Sequence, residues 1–126
     1  MSRSPGHQQH PDHKVQELRA PGRMKVEWNG TVIADSADAV RLEEDGNPPR
    51  YYFPRADVKM DKLSRTATTS HCPFKGDAHY FSLVGEGARL DDAAWSYEDP
   101  YQEHLGLKDR LAFWTEKSDA LKVQPA

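Results

Sequence analysis

The chain has 126 residues, with 17 Lys and Arg against 20 Asp and Glu, a net charge of -3 and an isoelectric point near 6.0. That length suits one domain with its own core, and the slight acidity removes the clustered basic charge on which nucleic-acid affinity rests. No apolar run approaches the roughly 20 residues of a membrane-spanning helix or forms the core of a signal peptide, and the lone Cys72 is a free thiol, so the cytosol is the expected location.

Residues 1–22 carry Ser, Gly, Pro and Gln with His7, His10 and His13, a composition that predicts a flexible or loosely docked arm. The domain is expected over residues 23–120. Val26 and Trp28 alternate with polar neighbours, Asn29-Gly30 is a strong hairpin signal, and Val32-Ile33 starts the return strand. A second strand pair follows, from Ala39–Leu42 to Tyr51–Phe53, turned by Asp45-Gly46-Asn47-Pro48-Pro49 and stopped by Pro54. Residues 55–63 place apolar side chains at Ala56, Met60 and Leu63, which predicts a short helix. Thr66–Ser70 reads as an edge-like strand, Ala78–Val84 as a longer one closed by Gly85 and Gly87, and Ala93–Tyr97 and Arg110–Trp114 as the last two. Residues 121–126 are expected to fray.

Together these elements define a mainly β fold: a single compact domain of short antiparallel strands forming a curved sheet or open barrel, with one or two short helices. The densest chemistry lies in Thr68–Phe81, which holds the only cysteine, His71, His79, Lys75 and several hydroxyls. Cys72, boxed by Pro73 with Lys75 three residues on, is either an activated thiolate or a small buried hydrophobe. No Cys-x-x-Cys or His-x-x-x-His spacing supports a metal site, and on a strand His71 and Cys72 face opposite ways. Lys75-Gly76 can hold an anion, but without the glycine-rich context of a phosphate loop.

The order of Tyr52-Phe53-Pro54-Arg55-Ala56-Asp57-Val58, Thr69 to Gly76, Ala94-Trp95-Ser96-Tyr97 and Ala112-Phe113-Trp114 resembles the DUF427 family of small bacterial and fungal proteins. His10-Pro11-Asp12-His13 and Val32–Ser36 extend the likeness over roughly residues 10–118. The resemblance implies a compact β-rich domain of uncharacterised function. Some family labels carry a nucleotidyltransferase name, yet the chain has no Gly-Ser followed by paired aspartates of the kind that hold a metal-nucleotide. His71, His79 and Phe74 depart from the family's usual Tyr-like, Ser-like and Tyr residues.

The functional expectation is a cytosolic protein that binds a small polar or anionic molecule, with catalysis left open. Its pocket would be lined by Tyr52, Thr69, Trp95 and Tyr97. Lys75 would contact an anionic or carbonyl group, Asp57 would hold or relay a proton, and Cys72 is the third reactive candidate. No cofactor, nucleic acid or membrane is expected, and the protein is read as a monomer or homodimer. The alternative is a non-catalytic interaction or homodimerisation module that uses the same aromatic residues as a groove.

Overall fold

Alternating side chains between turn residues produce ten strands in the computed structural model, which describes residues 2–126. Ser4 caps the one-turn helix α1 (Pro5–Gln9), its hydroxyl accepting the His7 amide proton. The strands are β1 (Val15–Arg19), β2 (Met24–Trp28), β3 (Thr31–Ser36), β4 (Val40–Glu44), β5 (Arg50–Tyr52), β6 (Leu63–Cys72), β7 (Gly76–Gly85), β8 (Ala88–Tyr97), β9 (Ala112–Phe113) and β10 (Leu121–Pro125). They form three antiparallel sheets, ordered β1-β4-β5, β10-β2-β3 and β6-β7-β8-β9, none closed into a barrel. Among the described residues no helix is long and apolar enough to cross a membrane.

The mainly antiparallel β architecture expected from the sequence is present, in one compact domain. Asn29 and Gly30 both take positive φ, 51° and 79°, as a two-residue turn between right-twisted strands requires. The β4–β5 pair and the β6–β7–β8 meander also stand where the patterning puts them. Residues 55–63 differ from the single expected helix. They form separate 3-10 turns at Arg55–Asp57 and Met60–Lys62, because the intervening Lys59 amide donates across to the Ile33 carbonyl at 2.8 Å and leaves no continuous ladder. Residues 121–125, read as fraying, form β10, which pairs with β2 and buries Leu121. The segment read as an arm carries α1 and β1, and β1 pairs with β4.

Strand parity divides the interior in two. The larger cluster is built almost wholly of carbon, with Val26, Ile33, Phe53, Leu83, Leu111 and Phe113 at its centre. The smaller one sets Leu42 and Tyr52, from β4 and β5, against Ala78 and Tyr97, from β7 and β8. Tyr52 and Phe53 are neighbours in sequence yet feed different clusters, since successive side chains of an extended chain point to opposite faces.

The bulged edge of β6 is held by side chains. Its register against β7 slips between Arg65 and Thr69, and there the Thr66 and Thr68 hydroxyls donate to the two carboxylate oxygens of Asp92 at 2.7 and 2.8 Å.

Candidate functional site

A cleft of about 220 Å³ opens where the β4–β5 sheet faces the β7–β8 ribbon. On the first side Leu42, Glu44, Arg50 and Tyr52 share a strand face, because Leu42 pairs with Arg50 and Glu44 lies two residues beyond Leu42. On the other, Tyr80 pairs with Trp95 and Ala78 with Tyr97, so Tyr80, Trp95 and Tyr97 project together. Trp114 stands at the rim, 37% exposed, edge-on to Trp95 with ring centroids 6.4 Å apart.

Lys75 reaches this cleft from the tight β6–β7 turn. Gly76 ends the turn at φ 116°, where a Cβ would stand 3.3 Å from the Asp99 carbonyl oxygen, so both conformation and space call for glycine. Lys75 is 8% exposed and its Nζ donates to Glu44 Oε1 at 2.5 Å. The other oxygen, Oε2, lies 3.0 Å from His13 Nε2. Burial alone would raise Glu44, but hydrogen bonds from Lys75 and His13 outweigh it and hold the carboxyl below its usual range.

The phenols behave in the opposite way. Burial pushes Tyr52 far up, although its oxygen accepts the Trp95 indole N–H at 3.0 Å. Burial also raises Tyr97, with the nearby Tyr52 oxygen adding to the effect. Both therefore remain protonated at any physiological pH and act as hydroxyl groups, never as phenolates. Arg50 lies 5.4 Å from the Trp95 ring centroid and donates from Nη1 to Glu116 at 2.6 Å.

The N-terminal residues close the back of the Lys75 turn. The Ser4 hydroxyl and the Gly6 amide both donate to the Pro73 carbonyl, at 2.7 and 2.8 Å. His7 packs edge-on to Phe74, and His13 stacks on the same ring at 4.3 Å. The Nε2 atoms of His7 and His104 are 2.8 Å apart, and His104 Nδ1 lies 2.7 Å from Glu17 Oε2. A nitrogen pair that close holds one proton between its members. Burial first, then the charge of His104, lowers the His7 pKa.

Of the residues singled out from sequence, Tyr52, Lys75, Trp95 and Tyr97 meet in the cleft. Cys72 is half-buried against the smaller cluster, beside the cleft and outside its lining. Asp57 does not join them: it lies outside the cleft lining and accepts the Ser36 hydroxyl at 2.6 Å. Thr69 lies on the exposed edge strand β6, paired with His79. Ser96 is buried and accepts from Arg55 Nη2 at 3.1 Å. His71 sits 2.7 Å from Asp77 on the surface.

Sequence reasoning missed Glu44, Arg50, Tyr80 and His13. Glu44 and Arg50 had a readable signal, since each is a charged residue at the inward parity of an amphipathic strand, two positions from Leu42 and Tyr52 respectively. His13 had none, because only the fold brings residue 13 to residue 44.

A small antiparallel β protein with a cleft lined by aromatic and charged side chains is the class these features define. Residues 16–124 match the family model described as a domain of unknown function, DUF427, and the chain belongs to that family. No curated protein matches the chain.

Proposed function

We propose that the protein binds a small polar or anionic molecule in the cleft between the β4–β5 sheet and the β7–β8 ribbon. The observation that supports this is convergence: Tyr52, Lys75, Trp95 and Tyr97, picked out in three separate segments of the sequence, line one concavity. Concave sites with aromatic walls and a few placed polar groups are the usual form of a small-molecule site. Residues that only fill a core would not hold a buried ammonium against a carboxylate, because withdrawing two charges from water costs several kcal/mol per ion unless the geometry is good.

Within this reading Glu44 fixes Lys75, and His13 fixes Glu44. The cation is therefore held in one place at the floor of the cleft, and the two phenols supply hydroxyls. The arrangement can orient a ligand, and its charged pair can hold a proton close to it.

Native mass spectrometry on untagged protein, compared with the denatured mass, tests the reading. The expected result is an added mass of small-molecule size that is lost on denaturation, and lost from a Tyr52→Ala variant that retains its fold. A clean native mass, together with no change in the cleft's NMR signals on adding a small-molecule extract, would overturn it.

A further inference from the structure

The cleft holds more hydrogen-bond donors than acceptors. Tyr97 is 6% exposed and lines the cleft, yet its hydroxyl has no hydrogen-bond partner among the described residues. No fully enclosed side-chain polar atom among those residues lacks a partner. The Tyr97 oxygen is therefore reached from outside, and the cleft is the opening that Tyr97 lines. Tyr52 accepts the Trp95 N–H, which leaves its own proton to give. The Arg50 guanidinium spends one N–H on Glu116, whose side chain is 52% exposed, and makes no other side-chain hydrogen bond among the described residues. An exposed partner of that kind holds a guanidinium weakly.

Lys75 and Glu44 are in a different condition. Lys75 gives one of its three N–H donors to Glu44, whose second carboxylate oxygen lies against His13. As an ion pair the two contribute no net charge to the cleft. What would complete the site is a group that only accepts, and a planar one suits the fork of a guanidinium already laid against an indole ring. At about 220 Å³ the space falls below the roughly 300–1,000 Å³ of pockets for drug-sized ligands. It fits one ring with one substituent, and Tyr80, Trp95 and Trp114 offer aromatic walls to such a ring.

We propose that the cleft takes a small aromatic carboxylate, its carboxylate received by the Arg50 guanidinium with the Tyr97 and Tyr52 hydroxyls, and its ring packed against Trp95 and Trp114. The proposal rests on the ligand-binding reading above and narrows it. It also moves the anion contact from Lys75, where the sequence put it, to Arg50.

The test is an NMR titration of the full chain, following the indole N–H signals with benzoate, with benzamide as the uncharged counterpart, and with acetate as the carboxylate without a ring. Benzoate is expected to shift the Trp95 signal along a saturating curve, with benzamide and acetate at least ten-fold weaker. Arg50→Gln should lose ten-fold or more in benzoate affinity and leave benzamide unchanged. Tyr97→Phe, which removes one oxygen and no packing, should lose several-fold and serves if Arg50→Gln fails to fold. Benzamide binding as tightly as benzoate would overturn the anion seat while leaving the cleft a ligand site. Benzoate binding unchanged in both variants would put the anion elsewhere. If no probe moves a cleft signal, the aromatic-carboxylate class falls, and the broader reading is then decided by the mass measurement alone.

Discussion

The two buried clusters differ in what they are made of. The larger, around Phe53, Ile33, Leu83 and Phe113, is almost wholly hydrocarbon, packed from the β10-β2-β3 and β6-β7-β8-β9 sheets and from Phe53 just past β5. The smaller, around Tyr52, Tyr97 and Leu42, borders a cleft and carries hydroxyls, one of them without a protein partner. Hydrocarbon cores are arranged by volume and close packing. A cluster that borders a cleft with phenols is arranged by donors and acceptors, and a hydroxyl open to the cleft with no protein partner is free to meet another group there. Stability should therefore concentrate in the first cluster, and recognition in the second.

Truncating the larger cluster should give the largest effect. Phe53 is fully buried, edge-on to Phe113 at 6.1 Å, and Phe53→Ala should cost about 3–5 kcal/mol in urea unfolding. A loss under about 1 kcal/mol would mean that the apolar cluster does not hold the fold.

Tyr52→Phe probes the second cluster. It strands the Trp95 indole N–H, and should cost about 1–3 kcal/mol by the same measurement.

Acid should separate the two regions next. The His7 pKa lies below its unfolded value near 6.5, so the unfolded or undocked state binds the proton more readily. The docking contribution is therefore fully present above pH 6.5 and lost as pH falls through the lower folded value. Glu103, which accepts the Ser4 amide proton, partly opposes this loss, while His13 and His104 add to it. Below pH 6 the Gly6 and His10 amide signals should shift or broaden while those of Val26 and Leu83 stay put; equal response in both sets would break the comparison.

The smallest stability effect belongs to Tyr97→Phe. With no protein partner to lose, its unfolding midpoint should stay within about 0.5 kcal/mol of the parent. A larger loss would reveal a hydrogen bond that the fold itself uses.

Most of the strand order could be read from the sequence, because Asn29-Gly30, the Pro48-Pro49 cluster and the Gly85–Gly87 turn are local signals acting on neighbours. Strand β10 was not legible. Leu121 and Val123 alternate over too short a run, and their partners in β2 lie almost a hundred residues earlier. The site followed the same division. Trp95 and Tyr97 share a face because parity within one strand is local, whereas Asp57 and Thr69, expected to supply the pocket's polar groups, sit in other elements whose placement no local pattern encodes. The two contacts of the Glu44 carboxylate, to Lys75 and to His13, depend on sheet packing, which no local pattern encodes.

The slipped register of β6 has one more consequence. A ten-residue strand at the margin of a sheet is a template on which another chain can add itself, and the sequence Leu63–Cys72 offers little charge to prevent it. By bending that margin and tying Thr66 and Thr68 inward to Asp92, the bulge denies an incoming strand a straight run of hydrogen bonds. Two hydroxyls and one carboxylate thus make this margin a poor template for aggregation.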